Sequence, residues 1–351
     1  MGGNHDCASG TLAVVSAAVA VRPGDDPLSD VLEAVRLTGA LFFVVEAAPP
    51  WIAEAPESSA LAPVLLPGGQ HVVSYHVIVE GSCWCRLGSA APVRLAAGDV
   101  LVVPHGHAYA LSSAPDLSSG LTPDDVLGWF KQMASGELPA VMREGGAGPV
   151  SLRIVCGFLG CDARPFNPIL ATLPRLLHIE RPVAHGRDGL RPLIDLIIAE
   201  SHTRRAGSRS VLLRIGELMF VEVVRRHLAT VTADEGGWLA GLRDPLVGRV
   251  LARMHREPQR AWTIDGLARA TGSSRTVLAE RFAHFVGEPP MHYLARWRMQ
   301  RAAGLLTSGT AKVSAVAREV GYDSEAAFSR AFKKHTGVAP ATWRDERRTP
   351  S

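Results

Sequence analysis

Residues 313–344 read VSAVAREVGYDSEAAFSRAFKKHTGVAPATWR, and this stretch decides the fold of the C-terminal third of the chain. It predicts a short helix over Val313–Val320, a turn over Gly321–Ser324 and a second helix over Ser324–Thr336. Two phenylalanines spaced four residues apart give the second helix an apolar stripe. A short helix, a tight turn containing glycine and an amphipathic second helix together form a helix-turn-helix.

The same pattern occurs about 50 residues earlier in the chain. A short helix is predicted over Thr263–Thr271, a turn over Gly272–Ser274 and a second helix over Ser274–Val286. Each second helix ends at a glycine that is followed within three residues by a proline, which gives the pairs Gly287 and Pro290, Gly337 and Pro340. A repeat at a fixed offset indicates two copies of one unit.

The segment between the two units, Pro289–Thr307, is rich in Ala, Leu, Met and Arg and predicts one connecting helix. About 18 residues at 1.5 Å per residue give a length of ~27 Å. Successive major-groove segments on one face of DNA lie about 34 Å apart. One chain could therefore present two recognition helices to two successive segments of the major groove.

Charge is distributed unevenly along the 351 residues. The net charge is +3, but residues 242–351 carry 19 Lys and Arg against 10 Asp and Glu, and the rest carry 18 against 24. A basic C-terminal third joined to an acidic remainder indicates a nucleic-acid-binding module attached to a domain with another role.

The N-terminal half shows a β-rich pattern of short apolar runs separated by Gly, Pro and Asp turns, which predicts a β-sandwich or barrel. A helix is predicted before it, over Pro27–Leu41, and Ser112–Gly148 is interpreted as a surface insertion. The period then becomes helical, with helices predicted over Ile169–Leu177, Arg191–His202 and Ser210–Leu228. The predicted strands are Leu41–Glu46, His71–Val79, Cys83–Leu87, Val93–Leu95, Val100–Val103, Tyr109–Leu111 and Val150–Val155.

The C-terminal residues resemble the AraC/XylS family of bacterial transcription regulators over about 100 residues. The resemblance rests on Trp262, Tyr293, Trp297, Arg298, Ala302, Ala317, Gly321, Tyr322, Ser324, Phe328, Arg330, Phe332, Gly337, Pro340, Trp343 and Arg344. It implies a sequence-specific DNA-binding transcription regulator and not an enzyme. Tyr75–Trp84 and Leu95–Gly106 resemble a small cupin barrel, which in such regulators senses an effector. Cys156–His178 resembles the subgroup whose cupin is fused to these helices.

The resemblance therefore implies a multidomain α+β protein. Its N-terminal jelly-roll-like cupin β-barrel carries accessory helices, and its C-terminal domain is an all-α double helix-turn-helix. The predicted divisions are a disordered leader over 1–26, a cupin-type sensor over 27–185, a helical dimerisation region over 186–230, a linker over 231–241 and a DNA-binding domain over 242–348. The leader's apolar stretch lacks the basic flank of a signal peptide.

The resemblance also implies which residues contact promoter DNA. Base contacts are expected from Arg275, Thr276, Ala279 and Glu280 on the first recognition helix, and from Glu325, Ala326, Ser329 and Arg330 on the second. Phosphate contacts are expected from Arg298, Arg301, Lys333 and Lys334. The alternative for each of these residues is a solvated helix face.

Further partners are expected from the same reading: RNA polymerase, an unknown small-molecule effector and a second copy of the chain, with no membrane. A dimer seam is predicted on Ser210–Leu228 through Val211, Ile215, Leu218, Met219 and Val221, with packing onto the barrel as the alternative. An odd number of cysteines without an export signal indicates reduced thiols and a cytoplasmic protein.

The candidate effector pocket comprises His71, Tyr75, His76, His105, His107 and Tyr109. His71 and His76 are five residues apart and so are predicted to face opposite sides of a strand. Tyr109 stands where the cupin pattern places its later histidine ligand. The metal-ligand set of an enzymatic cupin is therefore degenerate, and an iron or manganese enzyme is disfavoured.

The cysteines leave one alternative open. Cys83 and Cys85 are predicted to share a strand face, and Cys156 and Cys161 flank a short apolar run. If the two pairs meet, four thiolates would hold a structural zinc or form a redox switch, and the chain would be a thiol- or zinc-responsive regulator. The favoured interpretation is that these cysteines are small buried apolar residues.

Overall fold

The computed structural model describes residues 26–35, 37–66, 71–139, 141–161, 163–180, 189–203, 205–232 and 236–347. All of the predicted leader except residue 26 lies outside the described residues. None of the described helices has the length and apolar character needed to span a membrane.

The N-terminal half is a sandwich of two sheets. The six-stranded sheet has the order β10-β6-β3-β9-β1-β8 and the four-stranded sheet the order β2-β7-β4-β5. The strands are β1 (Leu37–Ala48), β2 (Ile52–Ala55), β3 (His71–Glu80), β4 (Ser82–Leu87), β5 (Val93–Ala96), β6 (Val100–Val103), β7 (Tyr109–Ser112), β8 (Val141–Gly145), β9 (Leu152–Cys161) and β10 (Leu177–Ile179). The predicted cupin fold is confirmed. Among the described residues, however, the two sheets do not close into one hydrogen-bonded barrel.

Alternation along β3 shows how the six-stranded sheet is buried on both faces. Val72 and Ile78 point into the apolar layer between the sheets, while Tyr75 and Val77 point outward into a second apolar layer that includes helices. Successive side chains of a strand face opposite sides, so an apolar run of this kind requires cover on both. The prediction that His71 and His76 lie on opposite faces follows the same alternation.

Fourteen helices lie among the described residues. They are α1 (Pro27–Ala34), α2 (Ser58–Leu65), α3 (Pro123–Ser135), α4 (Pro168–Thr172), α5 (Leu190–Thr203), α6 (Ser208–Thr230), α7 (Trp238–Arg243), α8 (Pro245–Arg256), α9 (Ile264–Thr271), α10 (Arg275–Val286), α11 (Pro290–Ser308), α12 (Val313–Glu319), α13 (Glu325–Thr336) and α14 (Pro340–Arg347).

Two segments at the start and middle of the chain differ from prediction. The first helix ends at Ala34, and the chain then enters β1 at Leu37. The predicted surface insertion is part of the core, because α3 buries Val126, Phe130 and Met133. Phe130 packs edge-to-face on Phe158 of β9, with ring centroids 5.3 Å apart. The sequence reading missed this because a single amphipathic helix does not reveal which surface it covers.

The predicted linker over 231–241 is also corrected. Its last part forms α7, whose Trp238 is only 1 % exposed. The Trp238 indole Nε1 donates a hydrogen bond to the Tyr293 hydroxyl at 2.9 Å. The backbone N–H of Gly237 donates to the carbonyl oxygen of Phe285 at the end of α10. The C-terminal domain therefore begins with this short helix and not at Leu242.

The buried apolar side chains of the described residues form three cores. One lies between the two sheets. A second extends from the outer face of the six-stranded sheet through Leu28 and Phe166 to Phe282, Tyr293 and Trp297 of the first helix-turn-helix. A third belongs to the second helix-turn-helix alone and runs from Met299 to Trp343. The first unit thus shares its core with the N-terminal half, whereas the second unit has its own.

Candidate nucleic-acid interface

The first helix-turn-helix is formed by α9 and α10. Thr263 caps α9 through Gly266 N, the turn passes through Gly272 at φ +69°, and Ser274 caps α10 by accepting from Val277 N at 3.2 Å. These side chains satisfy backbone N–H groups that have no partner within the helix. The predicted helix-turn-helix is confirmed, including its turn and both helix limits to within a residue or two.

The first unit is further fixed by an ion pair between helices. Asp244 caps α8 by accepting from Leu246 N and Val247 N, each at 2.9 Å, and it also pairs with Arg281 of α10 at 2.6 Å. Although burial raises the pKa of the Asp244 carboxyl, Arg281 and the two N–H groups lower it below its usual range. Arg281 therefore serves to hold α10 against α8.

The second helix-turn-helix repeats this construction in α12 and α13. Gly321 takes φ +84° at the turn, Ser324 caps α13 through Ala327 N at 3.1 Å, and Gly337 ends it at φ +86°. Phe328 and Phe332 are fully buried in the third core. A left-handed φ favours glycine, which explains the glycine at each of these places.

With their apolar sides buried, α10 and α13 turn the predicted base-contacting faces outward. Arg275, Thr276 and Glu280 are exposed on α10, and Ala279 is half-buried. On α13, Glu325, Ala326 and Arg330 are exposed and Ser329 is half-buried, while Lys333 and Lys334 are exposed on its last turn. This geometry leaves the α13 cations available to an anionic partner, whereas Arg275 lies 3.9 Å from Asp265.

Two arginines of α11 were predicted to contact phosphate, and their surroundings in the structure differ. Arg298 Nε and Nη2 donate to the carbonyl oxygens of Pro258 at 2.7 Å and Arg260 at 2.8 Å. Two donors of the Arg298 guanidinium therefore serve backbone oxygens of the protein, and its predicted phosphate contact stays a prediction. Arg301 is exposed and lines a cleft of about 240 Å³ together with Glu33.

In the N-terminal half, two of the six predicted effector residues meet inside the sandwich. His76 is buried and shares hydrogen bonds with the Tyr109 hydroxyl and, at 3.2 Å from its Nδ1, with the Cys156 thiol. Burial lowers the pKa of His76 to about 3 and raises that of Tyr109. The imidazole is therefore neutral at ordinary pH.

The other four lie elsewhere. Tyr75 faces the outer core, and its hydroxyl is buried without a hydrogen-bond partner among the described residues. His71 contacts the carbonyl oxygen of Pro104, and His105 that of Leu173. His107 accepts a hydrogen bond from Arg175 Nε at 3.2 Å. The structure thus does not bring the six residues into one pocket.

The four cysteines are likewise divided. Cys83, Cys85 and Cys156 belong to the core between the sheets, whereas Cys161 belongs to the outer core. Five residues along β9 separate Cys156 from Cys161, so the two side chains face opposite sides of the sheet. The predicted meeting of four thiolates is therefore wrong.

The residues inside the sandwich also do not fit a metal ion. Both nitrogens of His76 are already engaged by Tyr109 and Cys156. Burial raises the pKa of Cys83 and of Cys85 to about 12, which keeps both thiols protonated. Within the described ranges, no group of three or more His, Cys, Asp or Glu is arranged to hold a metal.

A feature that the sequence reading missed is a polar contact between the two domains. Gln300 of α11 is 2 % exposed. Its amide nitrogen donates to the carbonyl oxygen of Ala34, and its amide oxygen accepts from the backbone N–H of Phe166, both at 2.9 Å. A glutamine three residues after Trp297 on an otherwise apolar helix stripe was the available signal, since a buried polar side chain requires partners.

A second contact lies beside it. His255 of α8 stacks on Trp297 with ring centroids 3.9 Å apart, and its Nδ1 lies 3.5 Å from an Asp30 carboxylate oxygen of α1. Burial lowers the pKa of His255 more than Asp30 raises it. We call Asp30, Ala34, Phe166, His255 and Gln300 the interdomain junction.

Comparison with known proteins agrees with this organisation. Residues 26–229 match the family model described as Cupin, and residues 267–346 match the one described as Helix-turn-helix domain. The chain is 31% identical over 322 residues to a putative AraC-like transcription regulator of Streptomyces lividans, covering 91% of this chain and 98% of that protein.

Two further similarities are more distant. The HTH-type transcriptional regulator AlkR of Acinetobacter baylyi is 28% identical over 279 residues, or 79% of this chain and 89% of that protein. Among solved structures, the DNA-binding domain of AdpA in complex with a target DNA is 28% identical, covers 29% of this chain and 91% of that chain, and has a TM-score of 0.28.

The sandwich, the paired helix-turn-helix units and the two matched models define a DNA-binding transcription regulator with an N-terminal cupin domain. The chain belongs to the AraC family of transcription regulators.

Proposed function

We propose that the chain is an effector-responsive regulator, not an enzyme, which binds promoter DNA through both helix-turn-helix units at once. The observation that carries the proposal is the exposure of matching faces on α10 and α13 at the two ends of one connecting helix. The 19 residues of α11 span about 28 Å at 1.5 Å per residue. That length suits two major-groove segments about one helical turn apart.

Within each reader the proposed roles differ. We propose that Arg330 forks onto a guanine, that Glu325 accepts from a cytosine amino group, and that Ala326 contacts a thymine methyl. Lys333 and Lys334 neutralise phosphates and set the register. On α10, Arg275 and Thr276 offer hydrogen-bond donors, whereas Glu280 offers only acceptors and Ala279 only a methyl group.

The N-terminal domain is proposed to sense a small molecule near Tyr109. A cleft of about 300 Å³ is lined by Tyr109 together with Glu54, Arg86, Leu121 and Val126. Tyr109 also contacts buried His76, so occupancy of the cleft would bear on the packing between the sheets. A ligand shifts the protein only by as much as its affinity differs between two conformations.

The interdomain junction supports coupling of that signal to DNA binding. Gln300 satisfies two backbone groups of the N-terminal half, and breaking these contacts leaves buried polar groups without partners, which costs about 1–3 kcal/mol each. Gln300 of the junction lies on α11, the helix that connects the readers. Any change in the junction therefore acts on the element that positions both recognition helices.

A second copy of the chain and RNA polymerase are proposed partners, in the cytoplasm. Of the predicted seam, Ile215 and Met219 are buried in the outer core, whereas Val211 and Leu218 are 38% and 55% exposed. The exposed pair, with Leu196 of α5 at 45%, forms the surface we assign to the dimer. A thiol- or zinc-responsive mechanism is not supported, since the cysteines are protonated, buried and divided between two cores.

Selection of fragmented genomic DNA by the purified full-length chain tests whether the two helix-turn-helix units bind two DNA segments at once. We expect one motif with two conserved blocks whose centres lie about one helical turn apart. A single block, or no enriched motif, would contradict binding through both units.

A reporter fused to the enriched promoter tests the coupling. Gln300→Met keeps the length of the side chain but removes both hydrogen bonds, so basal expression should change relative to the wild type. Gln132→Met, at an exposed position of α3, is the matched control and should leave expression unchanged. Equal expression of Gln300→Met and wild type in every growth condition would show that the junction carries no signal.

A further inference from the structure

The two recognition helices belong to units with separate cores, and the boundary between the cores falls within α11. Tyr293, Leu294 and Trp297 pack in the core of the first unit, while Met299, Ala302 and Leu306 pack in the core of the second. Arg298 is the residue at the change. The relative placement of the readers therefore depends on α11 and on whatever joins the units beside it.

Arg298 joins them directly. Its guanidinium donates to the carbonyl oxygens of Pro258 and Arg260 in the loop between α8 and α9, which belongs to the first unit. The same guanidinium carbon lies 5.9 Å from the centre of the Tyr322 ring, in the turn of the second unit. One side chain thus donates hydrogen bonds to the first unit and lies within cation–π distance of an aromatic ring of the second.

The backbones of the two units also meet at this point. Gly321 has φ +84°, and a Cβ added to it would lie 2.7 Å from the carbonyl oxygen of Gln259 and 2.9 Å from Arg298 Nη2. Only a residue without a side chain permits this approach. The turn of the second helix-turn-helix therefore rests on the loop of the first, with Arg298 beside it.

Next to this contact the units are not tightly packed. A cleft of about 320 Å³ lies between them, lined by Arg256, Pro258 and Gln259 on one side, by Glu319 and Val320 on the other, and by Arg301 and Leu305 of α11. Beside this cleft, α11 and the contact of Arg298 and Gly321 with the α8–α9 loop join the second unit to the first. A small contact of this kind is sensitive to the chemistry of a single side chain.

We propose that Arg298 is a positioning residue that sets the distance between the two recognition helices, and hence the spacing of the DNA segments that the chain reads. The inference rests on the proposed binding through both units. Arginine suits the task because its planar fork donates to two carbonyls while its delocalised charge lies near an aromatic ring. Lysine has the same charge on a point-like ammonium and cannot do both.

The consequence for binding follows from bivalency. When the readers are held at the right separation, binding of one unit places the other at its segment, and the pair binds far more tightly than either unit alone. A looser connection spreads the second unit over more positions and lowers its effective concentration at the correct one. Loss of the Arg298 contact should therefore weaken the preference for one spacing between the DNA segments, while the affinity for a single segment stays unchanged.

The test compares wild type, Arg298→Lys and Arg318→Lys as full-length chains on four duplexes. These are the genomic duplex most enriched by the protein, versions with one base pair inserted or removed between its two blocks, and a version with one block randomised. Arg318→Lys changes an exposed arginine of α12 that takes no part in the proposed contact, and it serves as the control. Thermal unfolding of each variant checks that both units are folded.

We expect Arg298→Lys to bind the enriched duplex about tenfold more weakly than wild type and to discriminate little among the three spacings. Its affinity for the duplex with one block randomised should equal that of wild type. Gly321→Ala adds a Cβ that pushes Gln259 and Arg298 away from the turn of the second unit. This variant should also discriminate less among the three spacings.

Unchanged spacing discrimination by Arg298→Lys would overturn the inference. An equal loss on all four duplexes would overturn it too, since that result is what a phosphate contact or a folding defect produces. If wild type itself shows no spacing preference, binding through both units is wrong and the inference falls with it.

Discussion

Gln300 and Phe166 are 134 residues apart in the sequence, yet the amide oxygen of one accepts a hydrogen bond from the backbone N–H of the other at 2.9 Å. The same glutamine donates to Ala34 at the end of α1. One side chain of the reader domain therefore joins a segment that precedes β1 and a segment that lies between β9 and β10. This arrangement ties the orientation of α11 to two distant segments of the cupin domain.

Gln300→Met is expected to loosen this junction. Two buried backbone groups lose their partners at about 1–3 kcal/mol each, so the free energy of unfolding should fall by about 2–6 kcal/mol. Hydrogen exchange measured residue by residue should show faster exchange of the Phe166 amide. Gln132→Met, on the exposed surface of α3, is the control. Undiminished protection of the Phe166 amide in Gln300→Met would mean that water or a rearranged side chain replaces the glutamine.

Arg330→Ala is expected to weaken binding to the enriched duplex by about 1–3 kcal/mol and to relax the preference at one base pair. The affinity for a duplex of random sequence should change little, because the proposed contact of Arg330 is to a base edge. Titrations on both duplexes at fixed salt measure this.

Lys334→Ala is the matched comparison on the same helix. A phosphate contact contributes equally on every sequence, so both affinities should fall together and the salt dependence should decrease by about one released ion. If Arg330→Ala gave this pattern instead, Arg330 would be a phosphate contact.

The buried cysteines are expected to be unreactive in the native protein. Burial raises the pKa of the Cys83 and Cys85 thiols to about 12 and that of Cys156 further, so the reactive thiolate is scarce. In a Cys7→Ser background, a chromogenic disulfide reagent at pH 8 should label no thiol quickly. All four should react once denaturant is added. Rapid labelling of any one in the native protein would reopen the thiol-switch interpretation.

Stability is expected to fall as the pH drops below about 6.5. The pKa of His76 is about 3 in the fold against 6.5 as an unperturbed side chain, so between these values only the unfolded chain binds the proton. The free energy of unfolding then decreases by about 1.4 kcal/mol for each pH unit below 6.5. Burial of His255 acts in the same direction.

His76→Gln should remove the His76 share of that dependence. The difference in unfolding free energy between pH 7 and pH 5 should shrink by about 2 kcal/mol, measured by denaturant titration at each pH. His284→Gln changes an exposed histidine and should leave the difference as in wild type. An undiminished pH dependence in His76→Gln would show that other groups are responsible.

The sequence predicted the double helix-turn-helix closely because its signals are local. Gly272, Gly321 and the capping serines Ser274 and Ser324 fix turns and helix starts within a few residues of themselves. In the cupin domain, the strand alternation that separates His71 from His76 was equally readable. These features depend on neighbours in the sequence and not on distant packing.

Contacts between distant segments were not predictable in the same way. Trp238 lies in a six-residue helix after two glycines, and only its burial against Tyr293 reveals that it starts the reader domain. Arg298 looks like any basic residue on a DNA-binding helix until the carbonyls of Pro258 and Arg260 are placed beside it. The polarity of Gln300 was visible, but its two partners are not near it in sequence.

The separate core of the second unit bears on how operators can change over time. Among the described residues, the buried apolar side chains of this core, from Met299 to Trp343, include none from the cupin domain. Substitutions on the outer face of α13 can therefore accumulate without altering the stability of the cupin half. Substitutions in the first unit do not have this independence, because that unit shares its core with the cupin domain. New target sequences should arise more readily in the half of the operator that α13 reads.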